Sequence, residues 1–153
     1  MKKILALILV AICLTSCGES AVSSVGIDAL SKAIVKSLDF DDDLVILDDE
    51  VAFYIHDAED LVKDVAVYIG TGATAEEVAV FEAKNKASMS ELKEEIAEYI
   101  ADKCDEYEDY VPEEVARINK AVIREDGNYL VLCINKDPDK VNQLLNSYFK
   151  GEE

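Results

Sequence analysis

The sequence predicts an α+β domain in which an antiparallel sheet of about four strands is covered on one face by helices. Two β-hairpin patterns, each followed by an amphipathic helical pattern, carry this prediction, and two further helical segments precede them. Half of the 153 residues are hydrophobic, which supplies enough apolar side chains for the core of one ordinary domain. The predicted order is therefore helix, helix, hairpin, helix, hairpin, helix.

Two helices open the domain. Asp28 can cap a helix that runs to about Leu38, because apolar side chains recur at helical spacing behind it. A second, shorter helix is predicted for residues 49–55. Together they form a helical N-terminal segment over residues 27–60, ahead of an α+β core over residues 61–150.

The first hairpin pattern begins with an alternation that predicts a strand over residues 65–69. Gly70-Thr71-Gly72 ends this strand, and two interpretations stay open for residues 78–81: a returning strand, or a helix, which the nearby acidic residues allow. Gly70, Gly72 and Ala75 also match the spacing of the dinucleotide-binding fingerprint. That motif must open a helix and lead to a parallel strand, so we interpret the segment as a turn.

The second unit has clearer boundary signals. A capping box at Ser88 predicts a long amphipathic helix that ends near Asp109, and Pro112 opens a short helix as proline at the first helical position does. Asp126-Gly127 between apolar runs predicts the second hairpin, and Asp137-Pro138 caps the last helix. The strands of this hairpin are expected over residues 121–124 and 129–134.

Residues 1–16 have the pattern of a bacterial signal peptide. Lys2 and Lys3 precede an apolar run from Ile4 to Leu14, which is too short to span a bilayer as a helix. The following Leu14-Thr15-Ser16-Cys17 resembles the lipobox, and this resemblance implies that the Cys17 thiol receives diacylglycerol before signal peptidase II cuts in front of it. An ordinary secretory signal is the alternative. Residues 17–26 then form a flexible tether.

The charge balance bears on partners and location. The chain has 33 acidic and 15 basic residues, and losing residues 1–16 would remove two lysines and no acid, changing the formal charge from −18 to −20. Such a surface excludes nucleic acid as a partner, because phosphate binding needs lysine and arginine. We expect the chain to be held on the extracytoplasmic face of the cell membrane through lipid at Cys17, with an acidic body repelled from anionic lipid.

The acidic segment after the first helix has the spacing of a calcium loop. Acids stand at positions 1, 3, 5 and 12 of an EF-hand-like window, namely Asp39, Asp41, Asp43 and Glu50. Leu44 occupies position 6, where the sharp turn needs glycine. We therefore interpret the segment as a solvated acidic loop, with a weak Ca²⁺ site as the alternative, and expect no other cofactor.

The remaining cysteines and the single histidine are candidates for chemistry. Cys104 lies on the predicted long helix and Cys133 in the last predicted strand, so a helix packed on the sheet could bring them together. A disulfide stays open, as do two small buried thiols. His56 lacks a second histidine with which to build a metal site, so we interpret it as a surface or capping residue.

Three ordered motifs carry a family resemblance. They are residues 74–84, residues 107–114 and residues 127–132. In this order and spacing they resemble domain-of-unknown-function family 4358, whose members are lipoproteins of clostridia and related bacteria. The resemblance covers about residues 35–150, although Cys133 stands where an aliphatic residue is expected. It implies a strand over residues 76–83 and an anchored lipoprotein of a Gram-positive cell, and it implies no activity.

Taken together, these observations favour a non-catalytic binding or accessory module at the cell envelope, which recognises an envelope protein or ligand. Serine and threonine lack a nucleophile-elbow context, and one histidine provides little for general-base chemistry. The alternative is a calcium-dependent sensor or a carboxylate-based enzyme that acts on envelope polymers.

Overall fold

Five antiparallel strands form one sheet in the computed structural model of the chain, which describes residues 26–55 and 57–149. The strands are β1 (Val45–Ile46), β2 (Val62–Ile69), β3 (Glu77–Ala83), β4 (Val122–Asp126) and β5 (Tyr129–Ile134). Their order in the sheet is β1-β2-β3-β5-β4. The predicted signal peptide, the candidate lipidation residue Cys17, the tether up to residue 25 and His56 lie outside the described residues.

Five α-helices accompany the sheet in the described residues. They are α1 (Ile27–Ser37), α2 (Asp49–Ile55), α3 (Lys86–Tyr110), α4 (Val115–Ile118) and α5 (Pro138–Tyr148), with a 3-10 turn over Pro112–Glu114 ahead of α4. Over the part of the chain that the structure describes, no helix combines the length and the apolar composition that crossing a membrane requires. The α+β class, the two hairpins and the predicted order of elements are confirmed.

The sheet has one strand more than predicted. Val45 and Ile46 pair with Ile69 and Tyr68 at the edge of the sheet, which makes β1 a two-residue strand inside the acidic segment. So short a strand leaves no alternation to detect in the sequence. Residues 78–81 form the returning strand and not a helix, because they belong to β3, which lies between β2 and β5 in the sheet.

Helices cover both faces of the sheet, so the prediction that they pack on one face is wrong. Side chains of β3 alternate: Ala79 and Phe81 pack with α3, whereas Val78 and Val80 pack with α1 and α5. All six residues of β5 are buried as well. A strand that is apolar on both sides must be covered on both sides, which is the physical reason for the second helical layer.

The two cysteines lie on opposite sides of this sheet. Cys104 packs against the cluster on the α3 face, whereas Cys133 belongs to the cluster on the face covered by α1 and α5. Both thiols are free, so the candidate disulfide is not formed. The alternation of β5 explains this, since Cys133 points in the same direction as Val131, away from α3.

The boundary signals are partly confirmed. Asp137 caps α5 by accepting a hydrogen bond from the Lys140 N–H at 3.1 Å, as predicted. The cap of α3 is Asn85 rather than Ser88, and its side chain accepts from two backbone N–H groups of the first turn. The cap of α1 is Gly26, and Asp28 lies two residues later, within the first turn. Gly127, in the β4–β5 turn, has the positive φ of 60° that this hairpin turn requires.

Candidate functional site

The start of β3 carries an unusual concentration of buried charge. Glu77 pairs with Ile69 at the end of β2 and with Ile134 at the end of β5. Around this end of the sheet Glu76, Glu77 and Glu114 are only 1%, 0% and 7% exposed. Burying a carboxylate is costly unless cations and hydrogen-bond donors surround it, so each of these groups calls for partners.

Arg117 on α4 is the shared partner of three carboxylates. Its Nη1 lies 2.8 Å from Glu76 Oε1, its Nη2 donates to Asp41 Oδ2 at 2.7 Å, and its Nε lies 3.4 Å from Glu114 Oε2. The Nη1–Oε1 contact is an ion pair without the alignment of a hydrogen bond. A second cation, Lys136, lies 2.6 Å from Asp41 Oδ1. Three segments distant in sequence, around residues 41, 76 and 114–117, therefore meet at one guanidinium group.

Glu76 and Glu114 also bind the backbone. Glu76 Oε2 accepts hydrogen bonds from the N–H groups of Asp41 and Asp42, at 2.7 and 3.0 Å. Glu114 Oε2 accepts from the Ala75 N–H at 2.8 Å. These bonds fix the segment after α1 and the segment before β3 to the same charged cluster. The network consequently acts as a clamp on chain segments that have no regular structure of their own.

A second buried pair lies on the α3 face. Glu77 Oε2 accepts from the Tyr99 hydroxyl at 2.6 Å and from Lys103 Nζ at 2.8 Å, and Lys103 Nζ also lies 2.9 Å from the Tyr99 oxygen. The Lys103 ammonium is 5.2 and 5.9 Å from the ring centroids of Tyr99 and Tyr107, within cation–π range. Burial, followed by the charge of Glu77, raises the pKa of Tyr99 far above its usual value. Tyr99 is therefore a neutral hydroxyl donor.

Two adjoining clefts open over this network, between α3 and the loop from β2 to β3. The inner cleft, of about 230 Å³, is lined by Thr74, Glu76, Tyr99, Lys103, Tyr107 and residues 69–72. The outer cleft, of about 340 Å³, is lined by Glu106, Tyr107, Tyr110 and residues 71–73. Thr71, Gly72 and Tyr107 belong to both clefts. The outer cleft has the size of a small ligand site.

Hydrogen bonds hold the loop that forms one wall of the clefts. Asp42 Oδ2 accepts from the Thr71 N–H at 2.6 Å and from the Thr71 hydroxyl at 2.7 Å, and these bonds lower the pKa of Asp42. A Cβ added to Gly70 would lie 2.5 Å from the same oxygen, so only glycine allows this approach. On the other wall the Tyr107 hydroxyl donates to the Thr74 carbonyl at 2.9 Å.

The structure does not bring the four candidate calcium ligands together in a loop. β1 passes through the window, and Glu50 lies in the first turn of α2. The carboxylate of Asp41 is held by Arg117 and Lys136. Residues 26–55 and 57–149 contain no group of three or more His, Cys, Asp or Glu side chains that could hold a metal ion. The glycine pattern at residues 70–75 leads into antiparallel β3 and not into a helix.

Sequence reasoning missed the residues that build this site. Arg117 and Lys103 showed no pattern of their own, and Glu114 stood out only as part of the motif over residues 107–114, because the partners of these residues lie far away in the chain; Asp41 and Arg117 are 76 residues apart. One local signal was present. Glu76 and Glu77 come directly before a run of apolar residues that forms a central strand, and charge at that position implies buried partners.

The fold and the site define a class: an α+β domain whose sheet lies between two helical layers, with a clamp of buried ion pairs and open clefts at one end. The chain belongs to the family described as a domain of unknown function (DUF4358), whose sequence model matches residues 52–135, more than half of the chain. The matched region contains Glu76, Glu77, Lys103 and Arg117, but neither Asp41 nor Lys136. No curated protein and no solved structure gives a significant match.

Proposed function

We propose that this chain is a lipid-anchored, non-catalytic binding module on the extracytoplasmic face of the cell membrane. The observation that carries the anchoring is the ordered N-terminal pattern: Lys2 and Lys3, an apolar run, and Leu14-Thr15-Ser16-Cys17. A diacylglycerol group with a further acyl chain stably attaches such a protein to a bilayer. The acidic body would then extend away from the anionic membrane surface.

The arrangement of the charged groups supports binding over catalysis. A general acid or base must be able to exchange its proton with a substrate, within hydrogen-bond distance of it. One carboxylate oxygen of Glu76 accepts hydrogen bonds from two backbone N–H groups, and the other oxygen faces Arg117. Glu77 is engaged by Tyr99 and Lys103. These carboxylates therefore serve to hold the walls of the clefts in place.

The outer cleft is the proposed recognition surface. Tyr110 is 77% exposed at its rim, which is unusual for so large an aromatic side chain, and Tyr107 lies beside it in the wall. Exposed tyrosine next to polar groups is typical of binding surfaces, because its ring supplies contact area at low entropic cost. Thr71 and Glu106 supply polar groups in the same cleft. An envelope component that offers both apolar and polar contacts would suit it.

The anchoring can be tested with a pair of cysteine variants. Expressed in a bacterium that processes lipoproteins, the native chain and Cys13→Ala should incorporate labelled palmitate and fractionate with membranes. Cys17→Ala should lose the label, since it lacks the thiol that would be acylated. Cys13 lies four residues upstream, within the apolar run, and makes a matched control. Palmitate incorporation by Cys17→Ala would refute the proposed anchor.

Binding can be tested separately by photo-crosslinking in intact cells. A benzophenone side chain is placed at Tyr110 and, as a control, at Ile123 on β4, which is also exposed. The proposed recognition surface predicts a discrete crosslinked product from position 110 and none of that size from position 123. Identical products from the two positions, or none from position 110, would contradict a binding role for the outer cleft.

A further inference from the structure

β1 presents an open sheet edge with apolar side chains. Val45 is 58% exposed and Ile46 is 49% exposed, although both are β-branched residues that strands usually bury on at least one side. Among the described residues β1 pairs with β2 alone and ends the sheet. An open edge of this kind offers unpaired N–H and C=O groups to another chain. Neither Val45 nor Ile46 lines the outer cleft, although Ile69, the partner of Val45 on β2, lines the inner cleft.

The direction of the backbone identifies the residue that faces outward. The Leu47 N–H donates to the Val67 carbonyl at 2.9 Å, so Leu47 faces β2. In an antiparallel pair the backbone groups of successive residues point alternately toward the neighbour and away from it. Val45 consequently faces β2 as Leu47 does, whereas the N–H and C=O of Ile46 point away from the sheet. The edge is thus ready to accept one more strand.

Acidic residues bracket this apolar edge on both sides. Asp41-Asp42-Asp43 precede Leu44, and Asp48-Asp49-Glu50 follow Leu47. Arg117 and Lys136 neutralise Asp41, Thr71 binds Asp42, and the Val51 N–H donates to Asp48. Asp43 at one end and Asp49 and Glu50 at the other are exposed. An incoming strand therefore meets negative charge at both of its ends.

We propose that this edge is a docking site for an extended segment of a partner protein, in which alternating apolar residues are flanked on both sides by lysine or arginine. The segment would add as a sixth strand beside Leu44–Leu47, with main-chain hydrogen bonds to Ile46 and ion pairs to the acidic brackets. A second copy of this chain fits poorly. Symmetric antiparallel pairing about Ile46 would place Asp43 of each copy opposite Asp49 of the other.

The test is a selection of peptides on the mature protein. A displayed library of random dodecapeptides is panned against immobilised chain, and selected peptides are synthesised for affinity measurement. Docking predicts an enrichment of alternating β-branched or aromatic residues between basic flanks. It also predicts that replacing the flanking lysines by glutamate lowers the affinity at least about tenfold, because the brackets then repel the peptide.

One variant isolates the strand pairing. Ile46→Pro removes the N–H that points away from the sheet and leaves the β1–β2 hydrogen bonds in place, as proline on an edge strand does. We expect it to keep the melting temperature and to weaken the selected peptides at least about tenfold. Ile123→Pro, on the opposite edge of the sheet, is the control: any Ile123→Pro protein that remains folded should bind as the native chain does.

Several outcomes would overturn the proposal. They are no enrichment, selected peptides without the alternating and basic pattern, and unchanged affinity of these peptides for folded Ile46→Pro. A native chain that is dimeric in solution and becomes monomeric in Ile46→Pro would show that a second copy occupies the edge instead. If a peptide whose alternating residues are replaced by proline still binds, the interaction depends on charge attraction alone and not on strand pairing. None of these outcomes depends on Tyr110 or on the outer cleft.

Discussion

Arg117 Nη1 meets Glu76 Oε1 at 2.8 Å, and this ion pair connects α4 to the start of the central strand β3. Both side chains are largely shielded from water, with the Arg117 side chain 14% exposed and that of Glu76 fully buried. Through the same guanidinium group Asp41 and Glu114 are drawn to this end of the sheet. One arginine therefore joins three segments of the chain, around residues 41, 76 and 114–117.

Removing the arginine should be strongly destabilising. Arg117→Met leaves the Glu76 carboxylate buried without its cation, which typically costs about 3–5 kcal/mol. Urea unfolding followed by circular dichroism measures the loss. Arg124→Met is the control, because Arg124 makes one hydrogen bond to Asn146 near the surface, and we expect its loss to stay below about 1 kcal/mol. Equal losses in the two variants would contradict the role given to the Glu76 ion pair.

The Glu77–Lys103 pair should show strong coupling in a double-mutant cycle. Lys103→Met alone leaves the buried Glu77 carboxylate without its cation. Lys103→Met combined with Glu77→Gln removes both charges, so part of the lost stability should return. We expect a coupling energy above about 1 kcal/mol. The exposed pair Lys93–Glu125 is the matched cycle, and exposed pairs typically couple by less than about 1 kcal/mol. Equal coupling energies in the two cycles would show that burial does not strengthen the Glu77–Lys103 interaction.

The lowered pKa of Asp41 should make the free energy of unfolding depend on pH. The hydrogen bonds from Lys136 first and from Arg117 second lower the pKa of Asp41 in the folded chain below its ordinary value of 3.8. Its contribution is therefore complete above that value and is lost as the pH falls through the lower pKa of the folded state. The difference in unfolding free energy between the native chain and Asp41→Asn should be constant near neutral pH and shrink in acid. Urea unfolding across that pH range measures it.

The Asp41 prediction has a partner control. Lys136→Met removes the larger cause of the lowered pKa and should reduce the acid-dependent part of the difference. A difference between the native chain and Asp41→Asn that stays the same in acid would mean that the carboxylate is equally stabilised in both states.

The two thiols should differ in reactivity. Burial raises the pKa of Cys133 to about 12, and burial followed by the nearby Asp105 and Glu108 raises the pKa of Cys104. Because the thiolate is the reactive form, iodoacetamide should modify Cys104 slowly at neutral pH and faster as the pH rises. Cys133 should react only after unfolding. Mass spectrometry of the mature protein, alkylated with and without reductant, should show the same product; a mass that depends on reductant would reveal a disulfide.

Calcium should leave the stability of the chain unchanged. Asp41 is committed to Arg117 and Lys136, and β1 runs through the window that a calcium loop would need. We therefore expect equal melting temperatures in EDTA and in millimolar CaCl₂, measured by differential scanning calorimetry. A binding ligand raises the melting temperature by mass action, so an increase of several degrees in CaCl₂ would restore the calcium site as a candidate.

Much of the fold was predictable because local patterns determine it. Asp126-Gly127 marks a hairpin turn, Asp137-Pro138 marks a helix start, and both form as expected. The two helical layers were not foreseen, although Tyr129–Ile134 offered a clue in its unbroken apolar run. The strand β1 was missed because two residues carry no periodicity, and its pairing with Ile69 and Tyr68 depends on the neighbouring strand.

Only the two acids at the entrance of β3 could be identified in the sequence as part of the candidate site. Glu76 and Glu77 stand out as acids at the entrance of a buried strand, but the sequence does not show which cations meet them. Lys103 comes from a helix with many acids along its outer side, and Arg117 from a four-residue helix. Lys103 and Arg117 meet the buried carboxylates because the packing of α3 and α4 points these two side chains toward the sheet.

The sequence by itself determined the helices and the two hairpins, the acidic charge, the family motifs and the N-terminal lipobox pattern, because each depends on residues close together in the chain. Only the tertiary structure decided that Arg117 and Lys103 neutralise the buried carboxylates, that Cys104 and Cys133 lie on opposite sides of the sheet, and that Ile46 faces outward. The physical reason is that ion pairs, disulfides and sheet edges are made by residues far apart in sequence, whose positions follow from packing and from strand register.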